Sequence, residues 1–539
     1  MAESGSIILI IGTHPLVTSL EEQYASKCCC VTHIEAYSGE DVSQCDEIVL
    51  LTSAVDCDKV KEDNRMLNIL YTIAQKMDPY SGKRPIVHLL LQSNHTLGML
   101  QQLDLPDTVI TVMDVYPFTL ESQWARLLFA KLPGELPKLT FPPLDREPIT
   151  GQSGKTVHLV LSGFTSQSQL LAIFAALVAH YPNYDSKSST PLRTHITIIS
   201  PGLESCYREF VARYRHLFAN SYYSVINLQS NSSTVHYPQY YGRREDFVDV
   251  EWEFIDSDIY NDIIQDNLMM WAQSETEILT IAMSSGSDDR NVKDVLGLPE
   301  VIFNSGIPVL THVSNLSSLS LLKASSKYNN VYAFGMNNIG YDVTIPLISM
   351  GKMLNAFYWG IIGVGNDHVD QHLIDDAWKS LPSFAKRFSN IYNVMTIPTK
   401  LRSVGHETTH FFDRCYLFSS AELDDLAAVE HNRWCVEELI MGFRPCSDEE
   451  LIKVEKNIEE FLLIKDDPAR LATWELRDKR GHPCTLKEIF KEDELKRAHY
   501  DLRCYSDLRV DLTGVNVQYY DKHLTRCIPV LASKFLLNE

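Results

Sequence analysis

Long apolar runs are missing from this sequence. The run Ile7–Ile11 near its start is far shorter than the ~20 residues a spanning helix needs, and no basic leader precedes it. The expectation is a cytosolic chain without membrane insertion. Positive charge is also scarce: 48 Lys and Arg stand against 70 Asp and Glu, a formal net charge of −22. Such a balance repels phosphate backbones and anionic lipid, so general nucleic-acid binding is not expected. Metal-ligand spacing is absent among the 12 cysteines, which read as thiols of a reducing compartment. The catalytic signatures G-x-S-x-G, H-E-x-x-H and G-x-x-x-x-G-K-[ST] are missing too. Ser162-Gly163 lacks the first glycine of a nucleophile turn, and no catalytic set stands out.

What is present is a globular composition, 45% hydrophobic and 22% charged over 539 residues, enough for two to four domains. The first segment alternates short buried-strand runs with helical patterns: Ile7–Ile11, Val31–Ile34, Glu47–Leu51 and Ile86–Gln92 as strands, Leu16–Ala25, Asn64–Gln75 and Leu120–Lys131 as helices. That rhythm predicts a doubly wound parallel sheet. Gly12 ends the first run and Glu35 follows about twenty residues on, but the loop Gly12-Thr13-His14-Pro15 has no second glycine. It is read as a structural turn, and His14 as a loop histidine.

A proline-rich stretch, 133–154, reads as a linker. The pattern then restarts, with strands at Val157–Leu161, His195–Ile199, Tyr223–Leu228, Trp252–Ile255, Ile278–Met283, Pro308–Val313 and Val331–Phe334. Gln167–Tyr181 and Tyr207–Phe218 read as helices, and Gln229–Arg244 as a polar loop or insertion. Asp288-Asp289 suits either a metal pair or the acidic first turn of a helix. Ile345–Ile362 carries a Met and aromatic stripe expected in a core or subunit interface.

The last third reads as helical: Asp370–Leu381, Phe384–Asn393, Ser419–Met441, Asp448–Leu463, Leu486–His499 and Asp521–Phe535. Ser419 and Glu422 have capping-box spacing, and Gly442 suits the left-handed end of that helix. Inside it, Glu430, Arg433 and Glu437 fall at ion-pairing intervals beside His431 and Trp434.

Two resemblances follow from these motifs. His431, Trp434, Gly442, Phe443, then His499, Leu502, Tyr505 and Leu508, then Asp521 and Pro529, form an ordered set that resembles the RyR domain, the ryanodine-receptor repeat also found in bacterial proteins. Leu161-Ser162-Gly163-Phe164 after a strand, with Asp288 and Asn291 after a later one, resembles the TrkA-N or RCK type of Rossmann domain. Together they imply an α/β protein of two tandem Rossmann-like sheets followed by an all-α RyR-like unit. The units are expected at 1–132 and 155–365, then 366–539 with a charged insertion near 447–494.

The resemblance to the Rossmann family implies a ligand in the second crevice, at Gly163, Phe164, Thr165, Ser168, Ser200, Ser284, Ser285 and Asn291. Thr165 and Ser168 stand at two of that family's three loop glycines, and Ser200 at its ribose-binding acid, so the glycine loops are degenerate. NAD or another adenine nucleotide is the cofactor class implied, with none singled out. In the RyR-like unit the expected ligand residues are Glu430, His431, Arg433, Trp434, Glu437, His499 and Tyr505. The functional expectation is a non-catalytic, nucleotide-responsive regulator that forms a homo-oligomer; the alternative is an oligomeric interaction scaffold with degenerate sites.

Overall fold

The computed structural model describes residues 5–53, 58–79, 84–103, 105–238, 246–343, 347–364, 370–381, 384–406, 416–464, 466–471, 473, 497–510 and 515–536. Five short strands, β1 (Ile7–Ile11), β2 (Cys30–Ile34), β3 (Glu47–Leu50), β4 (Ile86–Leu90) and β5 (Asp114–Phe118), build a parallel sheet of order β2-β1-β3-β4-β5. Helices α1 (Leu16–Ser26), α2 (Lys59–Lys76), α3 (Asn94–Gln102), α4 (Asp107–Ile110) and α5 (Leu120–Phe129) connect and flank it. In β1, Ile8 and Ile10 join one buried cluster while Leu9 and Ile11 join another. A strand covered on both faces must be apolar at every position, which is why the run is unbroken.

The second sheet follows the same logic on a larger scale. Its strands are β6 (Thr156–Ser162), β7 (Thr194–Ile199), β8 (Tyr222–Asn227), β9 (Ser232–His236), β10 (Val250–Asp256), β11 (Glu277–Met283), β12 (Val309–His312) and β13 (Val331–Phe334). Their order is β13-β12-β11-β6-β7-β10-β8-β9, parallel except for the β8–β9 edge. The order reverses at the β6/β11 boundary, where doubly wound sheets open their crevice. Around it lie α6 (Ser166–Val178), α7 (Leu203–Arg213), α8 (Arg215–Ala219), α9 (Asp262–Ala272), α10 (Asp288–Leu296), α11 (Glu300–Asn304) and α12 (Ser320–Lys323).

Two expectations for this region need correction. The stretch read as a loop from Gln229 contains β9, which pairs with β8 as an antiparallel hairpin; its exposed polar residues gave no apolar alternation to find. The helix read from Tyr207 starts at Leu203 and breaks at Tyr214, whose φ, ψ of −106°, 38° is not helical.

Helices dominate the described part of the last third: α13 (Leu347–Tyr358), α14 (Gln371–Lys379), α15 (Phe384–Met395), α16 (Ile397–Ser403), α17 (Ser420–Ile440) and α18 (Asp448–Ile464), then Gln518–Thr525 and Ile528–Phe535. The last two replace the single helix expected from Asp521: Pro529, in the first turn of Ile528–Phe535, has no amide to continue the preceding one. The expected helix Leu486–His499 falls largely outside the described residues; His499 pairs in a two-residue bridge with Pro445. Among the described residues no helix is long and apolar enough to cross a membrane.

These parts are tied together by buried contacts. The stretch 133–154 is irregular, yet Glu135, Leu144, Asp145 and Ile149 are buried, Glu135 against Arg126, and Asp145 accepts two hydrogen bonds from Arg402 at 2.6 and 2.9 Å. Beyond β13, Tyr341 returns to the first sheet, stacking on Phe118 at 3.9 Å and bonding His88.

A charged cavity on the face of the second sheet

At the strand reversal of the second sheet, backbone and hydroxyl groups close on one another. Gly163 follows β6 with φ +97°, and a Cβ on it would overlap the Ser284 carbonyl oxygen across the reversal. Thr165 and Ser168 form a capping box at the start of α6, and both hydroxyls also donate to the Ser284 carbonyl at 3.1 Å. Ser284 Oγ lies 3.0 Å from Thr165 Oγ1. Ser285 donates its amide to Asn291 Oδ1 at 2.5 Å and its hydroxyl to Asp294 at 2.8 Å, while Asn291 donates to the His312 carbonyl. Phe164 packs edge-on against Phe210, and the Ser200 amide donates to Ile255. The structure thus joins the two crevice loops through Thr165, Ser168 and Ser284, leaving Phe164 and Ser200 outside that cluster. Asp288 accepts from the amides and hydroxyls of the loop after β12, acting as a loop anchor.

The polar set in α17 is buried more deeply. Arg433, 1% exposed, makes a bidentate pair with Glu430 at 2.8 and 2.9 Å and a further pair with Glu437 at 2.5 Å. Lys400 completes the cluster, 2.6 Å from Glu430. Burial pushes the Glu437 carboxyl up to about 7 despite Arg433, whereas at Glu430 burial is outweighed by Arg433 and Lys400, which hold it down to about 2. His431 donates from Nε2 to the Arg503 carbonyl at 2.9 Å and faces Asp521 with Nδ1 at 3.3 Å. Trp434 is half-buried with the rings of His431 and His499 against it, and the Tyr505 ring lies 5.9 Å from that of His431.

A different group of side chains converges on an accessible space. A cavity of about 380 Å³ opens over the face of the second sheet beneath α9. Register sets its floor: Glu251, His195 and His158 are paired neighbours on β10, β7 and β6, so their side chains form one row on one face. Glu253 and Thr197 form the next row, and Glu277, opening β11, completes the corner. On buried parallel strands such a row is anomalous, because charged groups there lose hydration.

Hydrogen bonds hold the row in a definite arrangement. Glu277 sits between the two rings, 3.4 Å from His158 Nδ1 and 3.6 Å from His195 Nδ1. Each outer nitrogen has its own oxygen: His195 Nε2 lies 2.6 Å from Glu251, and His158 Nε2 lies 2.9 Å from Thr197 Oγ1. Thr197 in turn donates to Glu253 at 3.3 Å, which fixes its hydroxyl as acceptor from His158. Trp271 of α9 closes one side, 4.7 Å from the His158 ring.

The ionisation states follow from these partners. Burial opposes charge on His195, but hydrogen bonds to Glu251 and Glu277 outweigh it and raise the ring to about 9. At Glu277 burial is likewise overcome, and His158 and His195 hold the carboxyl down to about 2. His158 is lowered by its burial and Glu253 raised by its own. A larger hollow of about 940 Å³ lies beside α2, but its Arg65 is paired with Glu62 and its Lys76 with the Gly39 carbonyl.

Sequence reasoning missed this cavity. The available signal was the placing of His158, His195, Glu251 and Glu277 near the starts of otherwise apolar strands, but only strand register brings them together.

No family model matches the chain, and no curated protein matches it. Among solved structures, the human SLO3 gating ring is similar over 74% of this chain and 85% of that chain, at 11% sequence identity and a TM-score of 0.32.

Proposed function

We propose that this chain is a non-catalytic regulatory protein that holds a small cationic ligand in the sheet-face cavity and passes its occupancy to the helical last third. The observation that carries the reading is a continuous chain of contacts leading out of the cavity. Glu251 lies 3.7 Å from Arg193, and Arg193 pairs with Asp246. The Asp246 carbonyl accepts from Cys504 at 2.7 Å, next to Arg503, whose carbonyl receives His431 of α17. Asp249, three residues further along, holds both His180 and Asn432. A ligand that redirects Glu251 therefore acts on groups already bonded to the last third. The three acids that line the cavity, Glu251, Glu253 and Glu277, favour a cation.

A nucleotide remains the ligand suggested by the family resemblances. In the second crevice its phosphate would have to displace the hydroxyl contacts to Ser284, so the cavity is the better-supported site. Hydrogen exchange on the full chain, with and without NAD, ATP, ADP-ribose, a polyamine or a divalent cation, tests the proposal. The expected result is that a cationic ligand changes protection over 498–508 and in α17, and that Arg193→Gln abolishes this change while binding persists. Ligand binding with no response in the last third would refute it.

A second reading, an oligomeric interaction scaffold, is favoured by one surface. Tyr358, Trp359 and Tyr519 are 39%, 62% and 49% exposed, and ring contacts through Tyr520 connect them. Clustered exposed aromatics of this kind mark interfaces.

A further inference from the structure

The geometry points to a divalent transition-metal site in this cavity, with His158, His195 and Glu277 as ligands and Zn²⁺ as the best-suited ion. This assignment rests on the cavity being the ligand site, and it names the ligand. Three donor atoms, one from each residue, lie within 4.8 Å of one another. Glu277 faces the two rings with different oxygens, Oε2 3.4 Å from His158 Nδ1 and Oε1 3.6 Å from His195 Nδ1, each near the ~3.3 Å edge of a tetrahedron with 2.0–2.1 Å bonds, so either oxygen is placed to serve as the ligand. Small side-chain rotations bring the donors onto one ion.

The surroundings match what such an ion requires. A metal-binding imidazole donates its other N–H to an oxygen, which orients the ring and presents a lone pair to the metal. Both histidines have that oxygen: Glu251 takes His195 Nε2, and Thr197, itself donating to Glu253, takes His158 Nε2, while an ion at His195 Nδ1 replaces the proton this ring otherwise shares with Glu277. Both Nδ1 atoms face Glu277. Three protein ligands leave a fourth position for water, and the cavity has room for one. Access runs past His195 and Glu251, whose side chains are 33% and 34% exposed, while His158 at 2% forms the floor. Two imidazoles select against Mg²⁺ and Ca²⁺, which prefer all-oxygen shells.

The test uses the full chain without an affinity tag, stripped by chelation and titrated with ZnCl₂ calorimetrically and with CoCl₂ by visible absorption. One equivalent should bind, with a four-coordinate Co²⁺ spectrum lacking thiolate charge transfer. His158→Gln, His195→Gln and Glu277→Gln should each weaken binding by about a hundredfold or more. Glu251→Gln, which keeps all three ligands, should weaken it about tenfold. Thermal melting of each metal-free variant checks folding, and Glu251→Gln decides the matter if a ligand variant fails to fold. Unchanged affinity in the folded variants, or a thiolate band that vanishes in Cys28→Ser/Cys29→Ser/Cys30→Ser, overturns the site. If Zn²⁺ does not bind but a polyamine alters protection in the last third, the metal assignment falls and the regulatory reading stands. If Zn²⁺ binds through these ligands and the last third stays unchanged, the metal site stands and the regulatory reading falls.

Discussion

At the level of single residues, burial decides more than residue type. His14 is 5% exposed, accepts the Leu16 amide on Nδ1, and is lowered by burial to about 4. The unfolded chain therefore binds a proton that the folded chain refuses between pH ~6.5 and 4, so stability falls as pH drops through that window. Urea midpoints across the range should show this slope, and His14→Asn should flatten it. Gly163→Ala places a methyl against the Ser284 carbonyl at a positive φ and should cost at least about 2 kcal/mol in chemical denaturation. Arg433→Ala leaves Glu437 without its cation and Glu430 with Lys400 alone, and should cost about 3–5 kcal/mol by the same measurement.

At the level of elements, α17 illustrates how local signals and tertiary demands combine. Its start obeys the capping box at Ser419 and Glu422, and Gly442 at φ +87° stands just past its end, both legible in advance. Its polar content was not legible in the same way. Glu430, Arg433 and Glu437 have the spacing of a solvated face, yet α15, α16 and α6 enclose them, so the pairing serves packing. Trp434 is only half-buried, so Trp434→Ala should fall at the lower end of large aromatic truncations, about 3 kcal/mol by urea denaturation. The β8–β9 hairpin makes the complementary point: an exposed edge strand needs no apolar alternation, so its sequence resembles a loop.

At the level of the whole molecule, the exposed aromatics near Trp359 lead to a separate prediction. If that surface joins copies of the chain, light scattering at micromolar concentration should give a mass above the 61.4 kDa of one chain, and Trp359→Glu should bring it back to that value. A monomer before substitution removes the oligomeric reading. The cavity belongs to this scale too, since its lining comes from β6, β7, β8, β10, β11 and α9, which are spread from His158 to Glu277 along the chain.

The order of residues alone determined that parallel sheets would form and roughly where their strands lie, because strands buried on both faces demand unbroken apolar runs. It also determined the ends of α17, because capping depends on neighbours three or four positions away. Only the tertiary structure decided which charges meet. Register across β10, β7, β6 and β11 sets Glu251, His195, His158 and Glu277 around one space, and helix packing closes Arg433 away from solvent. Such encounters depend on distances between segments far apart in the chain, which local periodicity does not carry.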